Sequence, residues 1–145
     1  MITYHARTTL ALTAAGLLAA VAPARAEIVA YKAELTAASE VPPAASKATG
    51  SVTATYDTAS KKLSWKGSYA GLSGDATGAH FHGPADAGKN AEVVVPITPA
   101  KSPLEGSATL TNAQAADLAA GKLYVNVHTA ANPNGEIRGQ VLKGK

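Results

Sequence analysis

Lys122-Leu123-Tyr124-Val125-Asn126-Val127-His128 alternates without a break, with Leu123, Val125 and Val127 on one side and Tyr124, Asn126 and His128 on the other. Successive side chains of a strand point to opposite faces, so this spacing predicts a strand with an apolar inner face. Asn132-Pro133-Asn134-Gly135 follows, a concentration of turn-forming residues. The chain then returns through residues 136–142, with Ile137 and Val141 inward and Glu136, Arg138 and Gln140 outward. The two runs predict a hairpin in which Glu136 or Arg138 lies close to His128.

The same two-residue period recurs on the N-terminal side. Residues 27–36 alternate through Val29, Tyr31, Ala33 and Leu35, and residues 50–56 through Val52, Ala54 and Tyr56. Residues 62–69 answer with Leu63, Trp65 and Tyr69, so the last two runs read as a hairpin about a turn at 57–61. Residues 93–97 and 104–110 are two further short strands, expected to pair with each other as a second hairpin. One segment breaks the pattern. Thr111-Asn112-Ala113-Gln114 fits a capping box, the next residues are mostly strong helix formers, and Gly121 suits the stop. About eight short strands with regular turn signals and one short helix define an all-β chain, an antiparallel Greek-key-like sandwich or a partly closed barrel.

Residues 1–26 do not read as part of that domain. A short leader ending in Arg7 precedes an uncharged run of small and apolar residues from Thr8 to Val21, and Ala24-Arg25-Ala26 supplies an A-x-A cleavage pattern before Glu27. That order predicts a signal peptide, with a single mature domain over residues 27–145 that is exported to the periplasm or secreted. The apolar run is shorter than the ~20 residues of a membrane span, so no span is expected after cleavage. The chain has no cysteine, which excludes disulfides, thiolate metal sites and thiol chemistry. Losing Arg7 and Arg25 leaves 11 of the 13 basic residues against 10 acidic ones. These charges are scattered, and without a basic run the footprint of a nucleic-acid binder is missing. The sequence does not fix an oligomeric state.

Chemistry concentrates in Gly78-Ala79-His80-Phe81-His82-Gly83-Pro84-Ala85. On a strand His80 and His82 project from one face and Phe81 from the other, into the core. With His128 they make the three histidines of the mature chain, each near a loop rich in glycine or proline. Neutral imidazoles suit copper, zinc, nickel and iron, and three of them leave an open position on the ion. Asn126, Glu136 and Arg138 are candidates to orient the imidazoles from behind. Asp75, Asp86 and Glu92 offer an oxygen ligand, although nothing in their spacing selects one. The alternative is a metal-free module that presents strand edges and loops to a protein or a surface polymer, with the histidines bonded to Asn126, Thr129 and backbone. Ring nitrogens within ~4–5 Å of one point would fit a shared ion, and separations beyond ~8 Å would fit the alternative. No G-x-S-x-G elbow, dinucleotide fingerprint or phosphate loop is present.

Residues 78–85 and 121–141, the second containing LYVNVHTAANPNGEIRGQV, together resemble the CHRD (chordin-type) domain family. The Glu40-Val41-Pro42-Pro43 segment and the Leu110-Thr111 helix entry resemble the same pattern. The resemblance implies an extracellular or exported β domain and carries little chemistry with it. The H-x-H strand is also similar to the copper-ligand strand of copper-zinc superoxide dismutases, which implies copper at His80 and His82, with His128 a candidate third ligand. The chain departs from those enzymes in having no fourth mature histidine to bridge two metals, no cysteine pair and no zinc loop. What this likeness leaves is one copper ion, with zinc second to it, bound without dismutase turnover.

Overall fold

The computed structural model describes residues 25–144, so the leader read at residues 1–26 lies outside them except for its last two positions. Strands β1 (Ile28–Thr36), β2 (Thr49–Asp57) and β3 (Lys62–Ala70) form an antiparallel meander in unbroken register. Then come β4 (Ala76–His82), β5 (Val93–Pro96), β6 (Leu104–Thr109), helix α1 (Asn112–Ala119), β7 (Tyr124–Thr129), β8 (Ile137–Gln140) and the two-residue β9 (Leu142–Lys143). The strands all belong to one nine-stranded antiparallel sheet ordered β5-β4-β7-β8-β1-β2-β3-β6, with β9 beside β1.

The sheet curls into a nearly closed barrel, and one contact shows how far. Trp65 on β3 and Phe81 on β4 sit five interstrand steps apart in that order, ~24 Å on a flat sheet. Their rings meet edge to face at a centroid distance of 5.1 Å. Inward residues of alternating strands, including Leu35, Val52, Leu63, Val125 and Ile137, fill the space between. Leu118 of α1 joins them. The capping box forms as read: the Thr111 hydroxyl accepts from the Gln114 backbone, and the Gln114 side chain accepts from the Thr111 backbone.

One expected pairing does not form. β5 and β6 are not a hairpin; β5 pairs with β4 and β6 with β3, at opposite ends of the sheet order. The segment between them crosses the barrel seam, where the Tyr69 hydroxyl donates to the Ala100 carbonyl at 2.9 Å and accepts from the Ser102 amide at 3.1 Å. Closing the curl places the two edges near each other without pairing them, and sequence neighbourhood alone does not reveal that.

A second departure matters more for function. The outer faces of β4, β7 and β8 carry polar residues, yet Asn126, Glu136, Arg138 and Tyr124 are almost wholly buried. Two loops, residues 37–48 and 83–92, lie over this face and meet where the Asn90 amide donates to the Val41 carbonyl at 3.3 Å. The sheet therefore has an apolar core on one side and a small polar core on the other.

Candidate metal centre

His80 and His82 lie two residues apart on β4, and β7 pairs with β4 so that Gly78 faces His128 and His80 faces Asn126. This register brings His128 level with the empty position of Gly78. A Cβ at Gly78 would lie 3.1 Å from Cε1 of His80 and 3.8 Å from Cδ2 of His128, so glycine leaves the two rings room to meet. His80, His82 and His128 each offer a ring nitrogen, and these atoms all lie within 4.8 Å of one another. A shared ion ~2.0–2.1 Å from each nitrogen would draw them to separations of about 3.5 Å, a short ring adjustment. Among the described residues no acidic side chain joins the group; Asp86 instead pairs with Lys122 at 2.7 Å.

The tautomers follow from the hydrogen bonds. Nδ1 of His82 lies 3.0 Å from the Ala91 carbonyl, and Nδ1 of His128 lies 3.0 Å from the Pro133 carbonyl. A carbonyl only accepts, so each Nδ1 carries the proton and each Nε2 presents a lone pair. The Nε2 of His128 accepts from Nδ1 of His80 at 3.2 Å. The Nε2 of His82 is buried and has no hydrogen-bond partner among the described residues. Burial holds all three imidazoles below their ordinary pKa, since charge is disfavoured away from water; for His82, its neighbours His80, His128 and Arg138 add to the effect. The site is thus a set of neutral nitrogen donors.

His82 is gripped from several sides. Its ring stacks on Tyr124 at 4.9 Å with an interplanar angle of 3°, and the Arg138 guanidinium lies 4.2 Å from the other ring's centroid. The Tyr124 hydroxyl accepts from the Ala91 amide and donates to the Ala91 carbonyl, the group that also holds His82. Arg138 donates to the Lys89 carbonyl at 3.1 Å and to the Asn90 side chain at 2.8 Å. It also forms a buried ion pair with Glu40 at 3.1 Å.

Of the three residues expected behind the imidazoles, none donates to or accepts from a histidine ring among the described residues. Arg138 touches Tyr124, which touches His82. Asn126 donates to the Glu40 carboxylate. Glu136 lies beside Thr129, one residue past His128, and its carboxylate accepts from Ser46, Ser73, Thr129 and Asn132. The orienting groups that sequence reading missed are the Ala91 and Pro133 carbonyls and the Tyr124 ring. Backbone carbonyls leave no trace in residue type, but a tyrosine two residues before Asn126 on the polar side of β7 was a visible signal.

The CHRD domain family model matches residues 31–141. The chain belongs to that family. No curated protein and no solved structure matches it. No helix among the described residues is long and apolar enough to cross a membrane.

Proposed function

We propose that this CHRD-domain protein is an exported, non-catalytic metal-binding module that holds one copper ion through His80, His82 and His128, with zinc bound more weakly. The observation that carries this reading is the Nε2 of His82, a buried lone pair with no partner among the described residues, beside two other imidazoles. An unpaired buried polar atom costs ~1–3 kcal/mol, and coordination would remove that cost. A donor set of imidazoles alone suits copper above zinc, which follows it in the divalent affinity order. The bound ion would supply an open coordination position; the chain's part is to hold three neutral donors and to aim them. The Ala91 and Pro133 carbonyls fix two tautomers, and the His80–His128 hydrogen bond would be exchanged for coordination, with the His80 proton carried on the ring nitrogen turned away from the ion. Arg138 acts on His82 through Tyr124 and residues 89–90, while Asn126 and Glu136 support the surrounding loops. Export rests on the basic, apolar and A-x-A order of residues 1–26. The missing bridging histidine and zinc loop support holding the metal over dismutase turnover.

Titration of purified metal-free protein with Cu(II) and with Zn(II), followed on the histidine ring NMR signals, tests the reading. One equivalent should bind, copper more tightly, and all three rings should shift or broaden together. No saturable binding, or a response confined to one ring, would leave a metal-free exported module that recognises a protein or surface polymer.

A further inference from the structure

Glu40 is 3% exposed and comes from a loop far from the histidines in sequence. Its Oε2 accepts from Nε of Arg138 at 3.1 Å, and its Oε1 accepts from the Asn126 amide. Asn126 faces His80 across the β4–β7 pairing. Gly135, at φ +129°, closes over this contact; a Cβ there would collide with both the Asn126 amide and the Glu40 carboxylate. From Arg138 two lines run to the same imidazole. One passes through the Lys89 carbonyl and Asn90 to Ala91, whose carbonyl holds Nδ1 of His82. The other passes through the Tyr124 ring, stacked on His82. Asn90 also returns to the Glu40 loop by donating to the Val41 carbonyl.

We infer that Glu40 is a positioning residue for His82, holding the imidazole in the tautomer that presents Nε2 by fixing the Arg138 guanidinium. A buried guanidinium without its carboxylate draws in water or swings toward it, because an uncompensated charge is costly away from solvent. Either movement releases the Lys89 and Asn90 contacts and, with them, the Ala91 carbonyl. His128 is held by Pro133 and lies outside this chain of contacts. Its consequence for metal affinity rests on the copper reading above; the positioning itself is a property of the metal-free protein.

The experiment compares the parent with Glu40→Ala, Glu40→Gln and Asn90→Ala, first by ¹⁵N ring NMR of metal-free protein and then by Cu(II) titration. Glu40→Ala should lose the protected Nδ1 proton of His82 while His128 keeps its own, and copper affinity should fall about 10–100-fold. Glu40→Gln retains an acceptor for Arg138 but not the compensating charge, and should restore the His82 signature in part. Asn90→Ala removes one exposed link and should produce the same His82 change at smaller amplitude, which keeps the inference testable if Glu40→Ala does not fold. Equal loss of the His82 and His128 signatures would mark Glu40 as merely structural and overturn the inference. So would an unchanged His82 signature in Glu40→Ala, or in Asn90→Ala if that is the folded variant. A His82 change in a protein whose parent binds no copper would uphold the positioning and reject the copper reading.

Discussion

Glu136 and His82 are both buried polar side chains outside the apolar core, and they are buried in opposite ways. Every direction around the Glu136 carboxylate is filled: Ser46 and the Ser73 amide reach Oε1, and the Ser73 hydroxyl, Thr129 and Asn132 reach Oε2. Burial alone would raise its pKa, but the donors from Ser73, Thr129 and Ser46 outweigh it and hold the group at about 2. His82 has its proton engaged by Ala91 and its lone pair engaged by nothing among the described residues. A saturated buried group is cross-linking the fold, here tying residues 46, 73 and 129–132 together. An unsaturated one, aimed at two other donors, is a place for a ligand.

The comparison breaks most visibly at Glu136. Glu136→Ala leaves several buried donors without an acceptor and should cost about 3–5 kcal/mol in urea unfolding, with the histidine tautomers kept in the folded fraction. A loss under about 1 kcal/mol would show that the cage is not a cross-link.

Acid sharpens the contrast. Because Glu136 titrates at about 2 in the fold against 4.5 ordinarily, the native state binds fewer protons than the unfolded chain between those values. Its stabilisation is therefore full above pH 4.5 and is lost as the pH falls toward 2. Glu40 is pulled the other way: burial raises its pKa, opposed by the Arg138 guanidinium that pairs with it. In Glu136→Gln the acid loss below pH 4.5 should shrink by about 3 kcal/mol, measured by denaturant unfolding from pH 5 downward. A variant that loses stability as steeply as its parent would remove Glu136 as the group responsible.

At the histidine end the effect should move from stability to binding. His82→Ala should change stability by no more than about 1.5 kcal/mol and lower copper affinity tenfold or more. If instead the fold collapses and affinity in the residual native protein is unchanged, His82 belongs with Glu136 as a structural group.

The alternation of Leu123, Val125 and Val127 was enough to place β7, and Phe81 between two histidines was enough to aim His80 and His82 together. His128 joined them because a strand of known phase has a known end. What the residues did not disclose was the covering of the outer face. Tyr124, Asn126 and Arg138 read only as the face away from the apolar core, and a period of two cannot distinguish water from a loop packed overhead. Glu40 was read only as part of the Glu40-Val41-Pro42-Pro43 segment and not as part of the site, since its partner Arg138 comes from the far end of the chain. The failed pairing of β5 with β6 has the same origin: pairing is decided by closure of the whole sheet, and adjacency in sequence is a poor guide to it.

The pairing of Thr36 on the first strand with Arg138 on the last hairpin also sets an order of events. A chain emerging from the ribosome can form the β1–β2–β3 meander early, from neighbours in sequence. The histidine centre cannot exist at that stage, because His128, the Pro133 carbonyl and Arg138 all arrive last. Long-range closures of this kind are slow steps in β proteins. Metal uptake would therefore be a late event in biogenesis, open only to chains whose C-terminal hairpin has docked, and an ion so taken up would stabilise finished molecules over partial ones.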